Sequence, residues 1–335
     1  MQSFDCKGNY IMKKLYFITN LQAGKSAIRS KLASVIDIFT SGGYQVTVRP
    51  TQGRMDAAAA AEYACLSGEY DLLVCSGGDG TLNETVQGLM HSQCPLPLGY
   101  IPCGSTNDFA RSLQIQTDIE KAAHDILEGH GFVCDTGIFN GTHFLYVAAF
   151  GAFTATVYET PQNIKNAIGH MAYILHGMTM VSSIRPLHVK IEFDDHVIED
   201  DFIFGMVSNT ASVAGMLKLK NFRLDDGTFE VMLIRKPTNV IVLQRIISSL
   251  MNLDEDVDTE YVLYFRAEKL RFISNEEIPW TLDGEYGGSS CDSEISVCKH
   301  AIRFQVGVHA PYNEESISAI FNAEAAAASE IIKED

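Results

Sequence analysis

The sequence predicts an α/β domain followed by an antiparallel β domain, and three observations support this. Strand-like and helix-like segments alternate through about residue 130. Beyond that point, strand segments joined by tight turns replace the alternation. The chain has 335 residues, of which 46% are hydrophobic, enough for two domains with separate cores. We place the first domain at residues 12–130, with a C-terminal segment at about 308–335 returning to it, and the second at 131–307.

In the first domain, the predicted strands are short apolar runs. These runs are LYFITN (15–20), YQVTVRP (44–50), DLLVC (71–75) and PLGYIP (97–102). The Ala-rich segment 55–68 predicts a helix, and a further helix resumes at Thr81. This alternation is typical of a mostly parallel sheet with helices on both faces. Ligands of such sheets bind at the carboxyl ends of the strands.

In the second domain, tight turns between β-rich segments predict hairpins. Asn140-Gly141 separates two apolar segments, and the sequence DDH at 194–196 separates two more. The segment 239–252 predicts one helix among the strands, and 317–335 predicts a C-terminal helix. The pattern favours an antiparallel sandwich or a curled sheet.

Charge and cysteine content exclude several classes of function. The net charge of −17 argues against nucleic acid as a partner, because that requires a positive surface. Eight cysteines occur without a CxxC pair, and no secretory leader is evident, so we expect a cytoplasmic protein with free thiols. No segment reads as membrane-spanning. A lipid substrate would therefore be reached by peripheral contact with the inner face of the membrane.

The segment SGGDGTLNE (76–84) combines a glycine-rich loop with an acid. Its glycines allow backbone amides to approach phosphate oxygens, and the following helix adds its positive end. A tight turn between strand and helix is the alternative explanation of the glycines. Asp79 would repel a phosphate unless a cation lies between them or the carboxylate serves a reacting hydroxyl. We therefore expect Asp79 to face Mg²⁺ or an acceptor hydroxyl.

Three motifs together resemble the diacylglycerol kinase catalytic-domain family, which includes bacterial lipid kinases and sphingosine kinases. They are GGDGTLNE, IPCGSTNDFARSL and LDGE, in this order, and the correspondence covers roughly residues 13 to 307. The turn NLQAGK departs from the family by lacking a proline after Asn20. The resemblance implies an NAD kinase-like three-layer α/β nucleotide domain and a β-sandwich-like second domain. It also implies ATP and Mg²⁺ as cofactors, and phosphoryl transfer to a diacylglycerol-like lipid in the interdomain cleft.

The resemblance also implies roles for individual residues. The acids matched to catalysis and to an Mg²⁺–water network are Asp79, Asp108, Asp135, Asp283 and Glu285. In bacterial members of the family, the proposed general base is the residue that matches Glu285. In sphingosine kinases it is the residue that matches Asp79. We favour Glu285. The residues matched to the nucleotide and its phosphates are Asn20, Thr51, Ser76, Gly77, Gly78, Asp79, Gly80, Thr81, Thr106 and Asn107.

Three of these acids also have a purely structural explanation. Asp108 could begin a helix or pair with Arg111. Asp135 could cap the end of a strand, and Asp283-Gly284 could be a hairpin turn.

The segment RLDDGTFEV (223–231) resembles a loop that holds a structural Mg²⁺ in bacterial relatives. The ligands would be the Asp226 carboxylate and the backbone carbonyls of Arg223 and Thr228. An ordinary Asp-Gly turn between two strands is the alternative.

Two other functions remain open from the sequence. An NAD kinase-type phosphotransferase would share the glycine-rich loop, although CGSTNDFAR fits the lipid kinase motif better. A non-catalytic lipid-binding protein could keep the fold, although the intact acids argue against it. A homodimer is also left open, and the sequence does not specify which lipid alcohol is the acceptor.

Overall fold

A computed structural model describes most of the chain, in two compact units. The described residues are 3–4, 10–24, 26–93, 96–105, 107–151, 185–210, 212–213, 217–218, 223–239, 241–242, 245–246 and 260–310. The first unit takes the described residues through Asp135 and those from Lys299 onward, and the second takes those between Thr136 and Cys298.

Strands dominate the described chain. The helices are α1 (Ala27–Ser41), α2 (Asp56–Ser67), α3 (Asp79–Ser92), α4 (Asp108–Ser112) and α5 (Ile119–Glu128). The strands are β1 (Ser3–Phe4), β2 (Tyr10–Ile11), β3 (Lys13–Thr19), β4 (Tyr44–Pro50), β5 (Leu72–Gly77), β6 (Leu98–Pro102), β7 (His130–Phe139), β8 (Thr142–Phe144), β9 (Val147–Gly151), β10 (Leu187–Phe193), β11 (His196–Ser208), β12 (Ser212–Val213), β13 (Leu217–Lys218), β14 (Phe229–Arg235), β15 (Val262–Ala267), β16 (Lys269–Leu282) and β17 (Glu285–Val306).

The first unit is built on a parallel sheet with the strand order β17-β6-β5-β3-β4. Helices cover both faces of this sheet. Because successive residues of a strand point to opposite sides, neighbouring residues of β3 contact different helices. Phe17 of β3 packs with α1 and α5. Its neighbour Tyr16 lies on the other face, 6.0 Å from the ring of Tyr63 on α2. The end of β17 pairs with β6 through Phe304 opposite Leu98, so a C-terminal strand returns to this sheet.

The second unit is antiparallel, with the strand order β15-β14-β11-β10-β16-β17 and with β9 paired to β11 and β16. Its core contains the only tryptophan of the chain, Trp280. The ring of Trp280 lies 4.9 Å from that of Phe150 and 5.0 Å from that of Phe272. The predicted hairpin turn at Asn140-Gly141 is confirmed, with φ angles of 45° and 85°. The predicted α/β plus antiparallel β fold class is therefore confirmed.

One predicted helix begins earlier in the structure, and two others fall mostly or wholly outside the described residues. The helix predicted to resume at Thr81 begins two residues earlier, at Asp79, because the extended Gly78 that follows β5 serves as the N-cap of the helix. The predicted helix at 239–252 lies mostly outside the described residues, and the one at 317–335 lies wholly outside them. Within the described part of the chain, no helix combines the length and apolar character needed to cross a membrane.

Candidate active site

The carboxyl ends of three neighbouring strands in the first unit meet at one edge of the sheet. Asn20 follows β3, Gly77 ends β5 and Cys103 follows β6. The amide of Asn20 donates to the carbonyl of Ser76 at 2.8 Å, and that of Cys103 donates to the carbonyl of Gly77 at 2.7 Å. The loops after these strands are therefore fixed to one another, as expected for a ligand site of a parallel sheet.

Asn20 joins the turn after β3 to helix α3. Its Nδ2 donates to the hydroxyl of Thr81 at 3.0 Å, and its Oδ1 accepts from the amide of Gln22 at 3.0 Å. The amide of Thr51 donates to the carbonyl of Thr19 at 3.0 Å, which places Thr51 beside the same turn. The sequence-predicted pair Asn20 and Thr51 thus lies next to the glycine-rich segment.

Glycine is required where the loops after β5 and β6 touch. A Cβ on Gly104 would lie 2.7 Å from the Cα of Gly78 and 2.7 Å from Oδ1 of Asn107. A Cβ on Gly77 would lie 2.5 Å from the side chain of Thr81. At Gly80 a Cβ would meet no atom of the described residues within 4 Å, so packing against them does not explain that glycine. Close approach of the two backbones therefore explains Gly78 and Gly104, and the side chain of Thr81 explains Gly77.

The Gly104→Ala variant tests this close approach. We expect the added methyl to push the two loops apart and to lower the free energy of unfolding by about 1–3 kcal/mol. Thermal melting of the purified chain measures the loss. Gly80→Ala is the matched control, since its Cβ would enter open space. Equal losses in both variants would contradict the packing explanation of Gly104.

Asp79 is half-buried in the first turn of α3, and it faces the start of another helix. The backbone amides of Asn107, Asp108 and Phe109, where α4 begins, face this carboxylate and favour its ionised form. Burial raises the pKa of this carboxyl group, and the amide hydrogen bonds oppose that rise. Its Oδ1 is buried and accepts no hydrogen bond from the described residues. The amides of α4 thus stabilise an acid that the glycine loop would otherwise disfavour, and one oxygen remains for a further donor or cation.

Two further residues shape this edge, and sequence reasoning missed one of them entirely. Asn107 has a left-handed backbone with φ of 51°, and its side chain bonds both the amide and the carbonyl of Gly104, at 2.9 and 3.0 Å. The buried hydroxyl of Tyr100 donates to the carbonyl of Gly77 at 3.1 Å. Tyr100 lies inside an apolar strand run, where nothing in the sequence distinguishes a positioning tyrosine from a core residue.

The other two predicted acids of the first unit are both buried. Asp108 is the first residue of α4 and lies 3.7 Å from the guanidinium of Arg111, so the local pair left open by the sequence is present. Asp135 lies in β7 and accepts a hydrogen bond from the amide of His300 at 2.7 Å. A link of either acid to Mg²⁺ stays a prediction.

Asp283 and Glu285 lie in the second unit and differ sharply in surroundings. The buried carboxylate of Asp283 accepts from three backbone amides, Leu145 at 2.6 Å and Tyr146 and Val147 at 2.9 Å each. Asp283-Gly284 also forms the hairpin turn between β16 and β17, with φ angles of 50° and 85°. Glu285 begins β17, and its side chain is exposed. Asp283 therefore holds the turn that carries Glu285.

The candidate metal loop forms an Asp-Gly turn with its own internal bonds. Oδ1 of Asp226 accepts from the amide and the hydroxyl of Thr228, at 3.1 and 2.9 Å. Its Oδ2 lies 3.6 Å from the guanidinium of Arg266, while the side chain of Arg223 pairs with Asp225 at 3.1 Å. No group of three or more His, Cys, Asp or Glu residues suited to a metal occurs among the described residues. The Mg²⁺ site at Asp226 stays a prediction.

The structure thus brings most predicted nucleotide residues to one edge of the first unit. The hydroxyl of Ser76 is an exception, because it is buried against the thiol of Cys103 at 3.2 Å. Thr106 lies outside the described residues. The residues at this edge are Asn20, Thr51, Gly77, Gly78, Asp79, Gly80, Thr81, Asn107 and Asp108.

Comparison with known proteins identifies the family. The model of the diacylglycerol kinase catalytic domain matches residues 14–137, and that of the YegS C-terminal NAD kinase beta sandwich-like domain matches residues 148–304. A diacylglycerol kinase of Bacillus subtilis (strain 168) is 35% identical over 291 residues, which cover 86% of this chain and 95% of that protein. This chain belongs to the diacylglycerol kinase family. The resemblance seen in the motifs is therefore confirmed.

Other members of the diacylglycerol kinase family agree with this assignment. A diacylglycerol kinase of Staphylococcus aureus (strain bovine RF122 / ET3-1) is 33% identical over 310 residues, covering 91% of this chain and 96% of that protein. A crystal structure of a diacylglycerol kinase from Bacillus anthracis strain Sterne has a TM-score of 0.70 at 22% identity, covering 91% of this chain and 98% of that one. That structural likeness supports the fold.

Proposed function

We propose that this protein is an ATP-dependent lipid kinase, which transfers the γ-phosphoryl group of ATP to the hydroxyl of a diacylglycerol-like lipid. One observation carries the proposal beyond family membership. The carboxylate of Asp79 faces the amides at the start of α4, at the carboxyl edge of a parallel sheet, and its buried Oδ1 accepts no hydrogen bond from the described residues. Phosphoryl transfer needs such fixed charge and positioning more than it needs covalent chemistry from the protein.

The edge of the first unit suits a nucleotide. Gly77 and Gly78 allow close approach of the backbone, and α3 directs its positive end toward the same place. Asn20, Thr51 and Asn107 would contact the nucleotide around this centre. ATP would supply the phosphoryl group, and Mg²⁺ would neutralise its charge. The orphaned Oδ1 of Asp79 fits Mg²⁺ or a water bound to it, since carboxylate oxygens are ligands that Mg²⁺ prefers.

The two acids of the second unit have different proposed roles. Glu285 is exposed and can accept the proton of an acceptor hydroxyl, which makes it our candidate for the general base. The oxygens of Asp283 are already held by three amides, so we assign it to positioning the turn before Glu285.

The Glu285→Gln variant separates these roles. Because the amide cannot take up a proton, we expect kcat to fall about 100-fold or more, with the KM for ATP nearly unchanged. Steady-state kinetics with varied ATP and lipid measures both constants. Glu294→Gln is the control, since Glu294 is an exposed carboxylate on the same strand. An effect confined to the KM for ATP would instead make Glu285 a nucleotide or metal contact.

The reaction itself is tested by Mg²⁺-dependent transfer of labelled γ-phosphate from ATP. Mixed micelles of several lipid alcohols and free NAD are offered in parallel. Label in a lipid product supports the proposal and names the acceptor class. Label in NADP would instead support an NAD kinase-type activity. Absence of label in every product would favour a lipid-binding protein of the same fold.

Contact with the membrane is proposed to be peripheral and weak. A net charge of −17 opposes broad attraction to anionic lipid, so only a local surface can bind.

A further inference from the structure

A buried tyrosine of strand β6 contacts both loops that frame the candidate nucleotide site. Tyr100 is fully buried, and its hydroxyl donates to the carbonyl of Gly77 at 3.1 Å. The same hydroxyl lies 3.5 Å from Oδ1 of Asn107, which belongs to the loop after β6. Because Gly77 is the last residue of β5, this one side chain joins the loop after β5 to the loop after β6.

The two acceptors do not need this hydroxyl as their donor. The carbonyl of Gly77 also accepts from the amide of Cys103 at 2.7 Å, and Oδ1 of Asn107 also accepts from the amide of Gly104 at 2.9 Å. A phenylalanine at position 100 would fill the same space and leave neither acceptor without a donor. The hydroxyl therefore contributes to the geometry of the loops rather than to the satisfaction of buried acceptors.

The peptide bond after Gly77 connects its carbonyl to a donor at the site. The C=O of Gly77 and the N–H of Gly78 belong to one trans peptide unit, so they point in opposite directions. The carbonyl faces β6, and the N–H therefore points away from β6, on the side of the turn after β3. Among the residues that the structure describes, none accepts a hydrogen bond from this N–H. Gly78 is also the N-cap of α3, where the positive end of the helix favours an anion.

Two adjacent glycines make this peptide unit easy to rotate. Neither Gly77 nor Gly78 has a Cβ that would restrict its backbone. Rotation by half a turn would present the carbonyl oxygen to a phosphate, and the two negative groups would repel each other. The same rotation would remove the nearer acceptor of the buried Tyr100 hydroxyl, which is unfavourable. Tyr100 therefore opposes the orientation that would exclude a phosphate.

We propose that Tyr100 is a positioning residue, whose hydroxyl holds the Gly77–Gly78 peptide with its N–H directed at a phosphate of the nucleotide. This role rests on the proposed function, because it lies within the nucleotide site. Loss of the hydroxyl should weaken the binding of phosphates and leave the binding of the nucleoside unchanged.

The Tyr100→Phe variant tests this role by comparing two ligands in titration calorimetry. We expect the Kd for ATP with Mg²⁺ to rise about five- to tenfold, and the Kd for adenosine to change less than about twofold. In turnover, the KM for ATP should rise with kcat nearly unchanged, because the contact is made equally before and during transfer. General damage to the site would instead weaken ATP and adenosine by the same factor.

Tyr16→Phe is the matched control for the loss of a buried hydroxyl. Tyr16 is a buried tyrosine of the same sheet, and its ring packs against that of Tyr70 at 4.8 Å. This variant should bind ATP and adenosine like the wild-type chain. Thermal melting of both variants checks that each is folded.

Nuclear magnetic resonance of the wild-type chain provides a test that needs no variant. The chain has three Gly-Gly pairs, at 42–43, 77–78 and 287–288. Glycine labelled at both its carbonyl carbon and its nitrogen therefore isolates the amide signals of Gly43, Gly78 and Gly288. Inorganic tripolyphosphate should shift the signal of Gly78 and leave the other two in place. Adenosine should shift none of the three.

The outcomes distinguish this role from the proposed function. A Tyr100→Phe chain that loses no affinity for ATP, or loses affinity for ATP and adenosine equally, would overturn the role of Tyr100 alone. A Gly78 signal that tripolyphosphate leaves in place would also overturn it. A wild-type chain that binds no ATP would overturn the proposed function, and the role of Tyr100 with it.

Discussion

The Asp79→Asn variant should lose turnover by about 100-fold or more while remaining at least as stable as the wild-type chain at pH 7. Turnover falls because the neutral amide cannot offer a charged oxygen to a cation or take up a proton. Stability is kept because the pKa of Asp79 is raised by burial, so the folded chain disfavours its ionised form. The asparagine side chain has the same shape but no charge, so it removes the cost of burying the ionised carboxylate. Its oxygen still faces the amides at the start of α4.

The pH dependence of stability provides an independent check. A raised pKa means that the contribution of Asp79 to stability is greatest below its unfolded pKa of 3.8 and is lost as pH rises through the folded pKa. The Asn variant should lack this decline. Urea denaturation of both chains from pH 3.5 upward measures the difference in the free energy of unfolding.

Asp79→Ala separates the charge from the hydrogen bonds. It removes the oxygens that face the amides of Asn107, Asp108 and Phe109, so we expect it to be about 1–3 kcal/mol less stable than Asp79→Asn. Both variants should be equally inactive. Near-normal turnover in either variant would remove Asp79 from the proposed mechanism.

The Asp283→Ala variant should lower the free energy of unfolding of the second unit by about 3 kcal/mol or more. Three amides, those of Leu145, Tyr146 and Val147, would lose a charged acceptor in a buried place. Alanine would also have to adopt the left-handed backbone that Asp283 has, with φ of 50°. Loss of a buried hydrogen-bond network is one of the few causes of so large an effect.

Tryptophan fluorescence in urea reports this loss directly. Trp280 is the only tryptophan of the chain, and it is buried three residues before Asp283. Asp283→Asn is the control, because asparagine tolerates the left-handed backbone and keeps one oxygen acceptor. Its loss should be smaller than that of alanine. A loss below about 1 kcal/mol in the alanine variant would show that the three amides find other partners.

The sequence predicted what depends on local pattern. Strand and helix alternation gave the parallel sheet, and Asn-Gly at 140–141 gave a hairpin. The glycines of the GGDGTLNE and IPCGSTNDFARSL motifs predicted the edge of the parallel sheet at which these two loops meet. Each of these follows from residues close together in the chain.

The sequence could not predict contacts made across the fold. The amides that face Asp79 come from residues about thirty positions later, and those that bind Asp283 come from residues 145–147, near the start of the second unit's sequence. Tyr100 reads as one more apolar strand residue, because its hydroxyl has a role only once Gly77 lies beside it. Such pairings depend on strand order and register.

The attachment of α4 to Asp79 makes two loops into one cooperative element. A helix of five residues cannot persist alone, since nucleation of a helix is unfavourable. Its order therefore depends on contacts outside the helix, which include the carboxylate of Asp79 at the start of α3 and the packing of Phe109 against Phe304. A ligand that moves that carboxylate would therefore also move the start of α4. Ligand binding at the loop that carries Asp79 and local opening of the loop that carries α4 are then coupled equilibria.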